Sequence, residues 1–261
     1  MFGTNLAEDK KRHLDELKRD VSVTMLLHSS KDIQIIPKNN GKGNNEMNRE
    51  QWLQARTKGI GSSDVAAVLG LSPYKTNVEL WEEKMGLRKP KDISDVEYVQ
   101  NGTNSEDPLR KLFAVDYPDL EVRHVENGIM IHPKHDFIRC SPDGILVEKE
   151  TGRLGFLEIK RCEIASGQAY LKWKDGAIPD YYYTQTLQYF LANPKIQFGY
   201  LRAYLIRHMA DGSIFREIRD YKIADTREEV EEDLKYLLPK EIEFWECVKQ
   251  RRRPALILPI I

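Results

Sequence analysis

The chain has 261 residues, 41% of them hydrophobic and 31% charged, with a formal net charge of −1. That balance describes a water-soluble globular protein of one large domain or two small ones, and it excludes fibrous and low-complexity classes. No stretch approaches the roughly 20 apolar residues that span a bilayer, and the N-terminus lacks the apolar core of a signal peptide.

In chain order, residues 5–20 read as a charged helix with Leu6, Leu14 and Leu17 as a thin apolar stripe, and "VSVTMLL" as a strand. Residues 37–46, "PKNNGKGNNE", form a polar Gly/Asn linker, so 1–46 reads as an appendage and 47–261 as the main domain. Residues 48–56 read as a helix. "GIGSSDVAAVLG" predicts a glycine turn, a serine cap and a short helix ended by Gly70. "TNVELWEEKMG" predicts a helix capped by Thr76 and stopped by Gly86. A longer helical region follows, and "SEDPLRKLFAVD" fits a helix with Pro108 in its first turn, where a missing N–H costs nothing.

The hydrophobic period then changes. Residues 121–131, 144–148 and 155–160 alternate or run apolar between glycine turns, as in a β-meander. Residues 180–192 return to helical spacing, 196–207 and 214–223 read as strands, and 226–250 as an amphipathic helix. Helices, a sheet, then a helix over it predict an α+β or mixed α/β fold, a central mixed sheet flanked by helices.

The chemistry concentrates in "RCSPDGIL" (139–146) and "FLEIKRC" (156–162). A Pro-Asp-Gly turn puts Asp143 at the sheet rim, and Glu158 and Lys160, two apart on a strand, share a face. Two carboxylates with the Ile159 carbonyl between them make an oxygen-rich Mg²⁺ site, with Mn²⁺ as an alternative. Such an ion activates water and stabilises charge on a phosphate under attack, while Lys160 orients the water or offsets that charge. The competing reading is a surface hairpin with a Glu–Lys pair worth a few tenths of a kcal/mol.

Asp-x(14)-Glu-x-Lys behind Ser-Pro, within apolar strands, resembles the restriction-endonuclease-like PD-(D/E)xK nuclease core. Over residues 48–205 the chain resembles, more narrowly, the lambda-exonuclease/YqaJ branch of phage-type recombination nucleases. Four stretches carry that resemblance in order: "RTKGIGSSDVAAVLGLSPYKTNVELW", "NGTNSEDPLRKLF", "RCSPDGIL…LEIK" and "YYYTQTLQYFL". It implies that Asp143 and Glu158 hold metal with the Ile159 carbonyl, that Lys160 is catalytic, and that Glu106 reaches the metal site from a preceding helix. Glu106 reads otherwise as a first-turn glutamate favoured by the helix dipole. Gln185 matches a glutamine lying against the active site, with Gln188, one turn on, as the competing candidate. The further acid that some members of the family place before Ser-Pro-Asp has only Asp136 here, out of register.

Arg56, Ser62 and Ser63 match a pocket for a terminal 5′ phosphate. A guanidinium upstream of N–H groups at a helix start suits an anion, although an ordinary serine cap beside an exposed arginine explains the same residues. The resemblance thus implies a Mg²⁺-dependent exodeoxyribonuclease that digests one strand of linear duplex 5′→3′ and leaves a 3′ overhang for recombination. It further implies double-stranded DNA ends as partner, a single-strand annealing protein downstream and a homotrimeric ring. The alternatives are a site- or structure-specific endonuclease on the same core, and a DNA-binding recombination module with a vestigial nuclease site.

Three scattered cysteines (Cys140, Cys162, Cys247) form no CxxC pair, which disfavours zinc and iron–sulfur sites and fits a reducing, cytoplasmic setting. His132 and His135 read as surface groups, and the four tryptophans as core anchors. "KQRRRP" (249–254) reads as a solvated basic run.

Overall fold

The computed structural model describes residues 34–36, 48–90, 95–124, 126–209 and 211–258. Two compact units divide the chain, Met1–Gln34 and Ile35–Ile261, and the account below concerns the second. The expected helix at 5–20, the strand after it and the 37–46 linker lie outside the described residues.

Strand β1 is Gln34–Ile36. Helix α1, Arg49–Thr57, starts on a reciprocal cap: the Gln51 N–H donates to Asn48 Oδ1 (2.9 Å) and the Asn48 N–H to Gln51 Oε1 (3.1 Å). A 3₁₀ turn, Ser62–Asp64, leads into α2, Val65–Val68. Helix α3 (Asn77–Lys84) has the predicted Thr76 cap, and Gly86 follows it with φ +70°. The serine cap is corrected. Gly61 occupies the cap position, and the carboxylate of Asp64, not a serine hydroxyl, accepts the Gly61 N–H at 3.1 Å.

Helix α4 runs Glu97–Asp116, so Pro108 lies in its interior and not in a first turn. Residues 97–104 are poor helix formers by composition, but packing of Leu109 and Phe113 onto the sheet carries the helix through them. Glu106 is therefore mid-helix, where the dipole does not reach.

The remaining elements are β2 (Leu120–Arg123), β3 (Ile129–Ile131), β4 (Arg139–Cys140), β5 (Gly144–Glu148), β6 (Leu154–Ile164), α5 (Gly167–Leu171), α6 (Asp180–Ala192), β7 (Ile196–His208), β8 (Ile214–Ala224) and α7 (Glu231–Lys249). The expected single strand over 121–131 is broken after Arg123, and Asn127 adopts φ +53° in the turn that follows. Its second half, β3, leaves the meander for a three-stranded sheet ordered β1–β3–β4.

The main sheet is mixed, ordered β2–β5–β6–β7–β8; only β6 and β7 are parallel, joined through α5 and α6. Period-two alternation along β6 sorts its side chains. Leu157 and Ile159 pack with Leu109 and Phe113 of α4, while Phe156 packs with Tyr189 and Phe190 of α6. Glu158 and Lys160 share the face of Phe156, which aims them at α6. Gly155 and Gly199 let two rings cross the parallel pair: a Cβ on Gly155 would meet the Phe198 ring at 2.5 Å, and one on Gly199 the Phe156 ring at 2.2 Å.

Arg202, 1% exposed on β7, donates twice to Asp220 (2.7 Å each) and once to Asp116 of α4 (2.6 Å). Breaking a buried ion pair costs about 3–5 kcal/mol, reduced here because both carboxylates keep some solvent. Arg202→Ala should lower unfolding free energy by roughly 2–4 kcal/mol in a urea titration; a loss under about 0.5 kcal/mol would show that the triad contributes nothing.

Candidate active site

Strand β5 begins at Gly144, opposite Leu157, so beyond that point this edge of β6 has lost its antiparallel partner. Asp143 fills the gap: its Oδ2 accepts the Ile159 N–H at 2.7 Å. In an extended strand the N–H and C=O of one residue point to the same side, so the Ile159 carbonyl also faces this open edge. The main chain of Asp143 is held in turn, its carbonyl accepting Arg110 Nε at 2.6 Å and lying 3.1 Å from His124 Nδ1.

Glu158 is 2% exposed and fully satisfied. Lys160 Nζ contacts its Oε1, Gln185 Nε2 donates to the same oxygen at 2.6 Å, and the Tyr189 hydroxyl donates to Oε2. Gln185 thus reaches the acids, whereas Gln188 turns away and donates to the Ile60 carbonyl at 3.1 Å. Lys160 Nζ also lies 5.1 Å from the centre of the Tyr182 ring.

The charges are strongly coupled. Burial pushes the Asp143 carboxyl well above its usual range, and the like charges of Glu158 and Glu106 push the same way. Glu106 is raised for the same two reasons, burial first and then Glu158. Burial alone would lower the Lys160 ammonium, but Glu158 and Asp143 outweigh it and hold the group above its ordinary value.

A cavity of about 590 Å³ joins this cluster to a second group. Asp143, Glu158, Ile159, Lys160, Glu106 and Gln185 line it together with Arg56, Ser62 and Ser63. Arg56 Nη2 donates to Ser63 Oγ at 3.1 Å, and its guanidinium lies 4.5 Å above the Trp52 ring. The serine turn is braced from below by Asp64, paired with Lys84 at 2.7 Å. Burial alone would raise the Asp64 carboxyl, but Lys84 outweighs it and the acid sits below its ordinary value. Because α2 has only four residues, the turn draws little on a helix dipole. An anion here would be held by Arg56, the hydroxyls and the local N–H groups.

The donor set facing the open edge is all oxygen, which suits a hard divalent ion and not zinc. Among the described residues no three His, Cys, Asp or Glu side chains form a ready-made cage. The carboxylates instead hold internal donors: Ile159 N–H on Asp143, and Lys160, Gln185 and Tyr189 on Glu158. His132 and His135 pair with each other away from the cavity, their ring centres 4.9 Å apart. Asp136 is not in the cavity lining either.

Some participants went unread in the sequence. Trp52, expected in the core, is a cavity wall that donates to Ser141 Oγ at 3.2 Å. Arg110 and Tyr189 carry a legible signal: each lies four residues after a site residue, Glu106 or Gln185, on the same helix face.

The model of the YqaJ-like viral recombinase domain matches residues 51–192, a span containing all four stretches that carried the resemblance. The chain belongs to this family. Protein YqaJ of Bacillus subtilis (strain 168) is 32% identical over 231 residues, covering 87% of this chain and 64% of its own length. Protein R354 of Acanthamoeba polyphaga mimivirus is 30% identical over 120 residues, covering 46% of this chain and 21% of its own length. The chain therefore spans less than two thirds of either relative. Among solved structures, the alkaline exonuclease LHK-Exo of Laribacter hongkongensis superposes with a TM-score of 0.52 at 20% identity, over 78% of this chain and 96% of that one. At that identity the likeness establishes a shared fold, the mixed α/β PD-(D/E)xK type with its five-stranded mixed sheet, and this YqaJ-like chain carries it. No helix among the described residues is long and apolar enough to cross a membrane.

Proposed function

We propose that this YqaJ-like domain is a divalent-metal-dependent exodeoxyribonuclease acting on ends of duplex DNA, with Mg²⁺ as its ion. One observation carries the reading: Asp143, Glu158 and Lys160 share a cavity with Arg56 and Ser63, so a strand-cleaving centre and an anion-holding centre open into one space. Asp143, Glu158, the Ile159 carbonyl and Glu106 would hold the ion. Once bound, the ion supplies Lewis-acid stabilisation of the phosphate and a more acidic water.

The protein groups then have distinct tasks. Lys160 is held as an ammonium, so it has protons to donate and no lone pair. It acts as a donor that orients the attacking water and offsets charge on the phosphate, not as the base. Gln185 and Tyr189 keep Glu158 in place through their hydrogen bonds. Arg56, Ser62 and Ser63 would take the terminal 5′ phosphate, which sets a 5′→3′ polarity and leaves a 3′ overhang for recombination. A single-strand annealing protein as recipient, a homotrimeric ring, a cytoplasmic setting and 47–261 as the nuclease domain complete the reading.

A terminal phosphate is dianionic and offers more acceptor oxygens than an internal diester. Each charge-assisted hydrogen bond to it is worth on the order of 1.5–3 kcal/mol, so its loss should slow initiation roughly tenfold or more. With Mg²⁺ present, linear duplex bearing 5′-phosphate ends should be digested faster than the same duplex with 5′-hydroxyl ends. Arg56→Ala should largely erase the difference, and closed circular duplex should resist both proteins. Cutting of closed circles at a comparable rate would mean an endonuclease, and no cutting of any duplex a binding module.

A further inference from the structure

Arg139 of β4 is 8% exposed and lines the cavity of the candidate active site. Its side chain is held at three points. Nε donates to the Asp136 carbonyl at 2.7 Å and Nη1 to the Ala55 carbonyl at 2.8 Å. The stem lies over Gly59, where a Cβ would come within 2.9 Å of Arg139 Cδ. The main-chain N–H of Arg139 donates to the Ile60 carbonyl at 3.0 Å. The guanidinium is thereby fixed between the last turn of α1, one residue before Arg56, and the loop that leads from Gly59 to Ser62 and Ser63.

Both tethers are neutral carbonyls. Among the described residues Arg139 forms no salt bridge, and its Nη2 donates to no protein acceptor yet is not sealed from solvent. That nitrogen opens to the cavity the residue lines. Burial pulls the guanidinium's pKa down, and the Asp136 carboxylate offsets only part of the pull. A buried cation without a counter-charge is costly until an anion completes it. The neighbouring cations of the cavity wall differ. Lys160 faces Glu158, Arg110 lies 3.3 Å from Asp107, and Arg49 stands exposed at the far end of α1. Only Arg56, bonded to Ser63 and stacked on Trp52, resembles Arg139 in meeting no carboxylate among the described residues.

We propose that Arg139 is the second cation of the terminal-phosphate site and the residue that makes this site prefer a terminal 5′ phosphate to an internal diester. A diester carries a single negative charge, which Arg56 alone matches. A terminal phosphate carries roughly two at neutral pH, and a pair of guanidiniums matches that. Tethered at both Nε and Nη1, Arg139 meets the phosphate already oriented and loses little side-chain freedom on contact. The identity of the anion rests on the exonuclease reading; the uncompensated buried guanidinium does not.

The test is metal-free equilibrium binding of a short linear duplex, with 5′-phosphate or 5′-hydroxyl ends, to wild type, R139Q and R139K over a range of salt. Wild type should bind the phosphorylated duplex tighter by roughly tenfold or more, as charge-assisted hydrogen bonds to the extra charge require. R139Q, whose amide can still donate to one of the two carbonyls, should lose most of that ratio. Its salt slope on the phosphorylated duplex should fall by about one, while its affinity for the hydroxyl-ended duplex stays within about twofold of wild type. R139K keeps the charge, but one ammonium cannot hold both carbonyls and a phosphate. Its slope should hold and its ratio should fall roughly threefold or more. If R139Q keeps the full wild-type ratio, or loses affinity for both duplexes equally with the slope unchanged, Arg139 only tethers α1 and the proposal is overturned. R139K with the wild-type ratio overturns it even if R139Q fails to fold. A wild type indifferent to its end group would instead end the terminal-phosphate reading itself, and the proposal with it.

Discussion

Asp143→Asn and Glu158→Gln should each cut Mg²⁺-dependent cleavage of linear duplex by roughly 10²–10⁴-fold, since each withdraws a charged oxygen whose share of charge stabilisation is several kcal/mol. The two variants should part company in stability. At position 143 an amide oxygen can still accept the Ile159 N–H, and one of several like charges in a half-closed cavity is gone. Metal-free Asp143→Asn should therefore melt at or slightly above the wild-type temperature. Glu158 receives Lys160 and Gln185 on Oε1 and the Tyr189 hydroxyl on Oε2, so a glutamine there can keep its oxygen for the first two and turn its NH₂ to the hydroxyl, but it removes the charge that pairs with Lys160. Weakening that charge-assisted contact should cost about 1–3 kcal/mol. Activity on a labelled linear duplex and melting curves without metal measure both effects. Substantial cleavage by both variants would remove the metal assignment.

The strands and α6 were legible because their side chains obey one period throughout. Leu157 and Ile159 against Phe156, Glu158 and Lys160 is a two-residue alternation that neither turn nor insertion disturbs. That alternation alone puts Glu158 and Lys160 on one face; it does not say which helix they meet. The longer helical region after Gly86 was legible, but where α4 begins within it was not, for the opposite reason. Val99, Asn101, Gly102 and Thr103 argue locally against a helix, and only the contacts of Leu109 and Phe113 with a sheet formed later in the chain decide the matter. Pro108 was misplaced with them. The break between β2 and β3 depends on Asn127 in a left-handed conformation, which an asparagine tolerates but does not announce.

Lys160→Ala should lower turnover by roughly 10²–10³-fold while leaving affinity for duplex DNA within about twofold and the salt slope changed by no more than about one. The asymmetry follows from position. Lys160 is only 20% exposed at its side chain, held between the Glu158 carboxylate and the Tyr182 ring, so it meets one phosphate at the reacting centre and adds little to a charged footprint spread over several. Folding should survive the change, because Glu158 keeps Gln185 and Tyr189 as donors. Lys160→Arg preserves the charge, yet it should restore little of the rate. A guanidinium is a planar fork that spreads its charge over three nitrogens, and the space between a buried carboxylate and the Tyr182 ring is shaped for a compact ammonium. It would pair with Glu158 in its own plane and carry its donors away from the open edge beside Asp143 and Ile159. Single-turnover cleavage and equilibrium binding on the same 5′-phosphorylated duplex separate the two quantities. If arginine returned near-full rate, or if alanine weakened binding as much as turnover, Lys160 would be one more backbone contact and the task of orienting the attacking water would fall to another donor at the cavity edge.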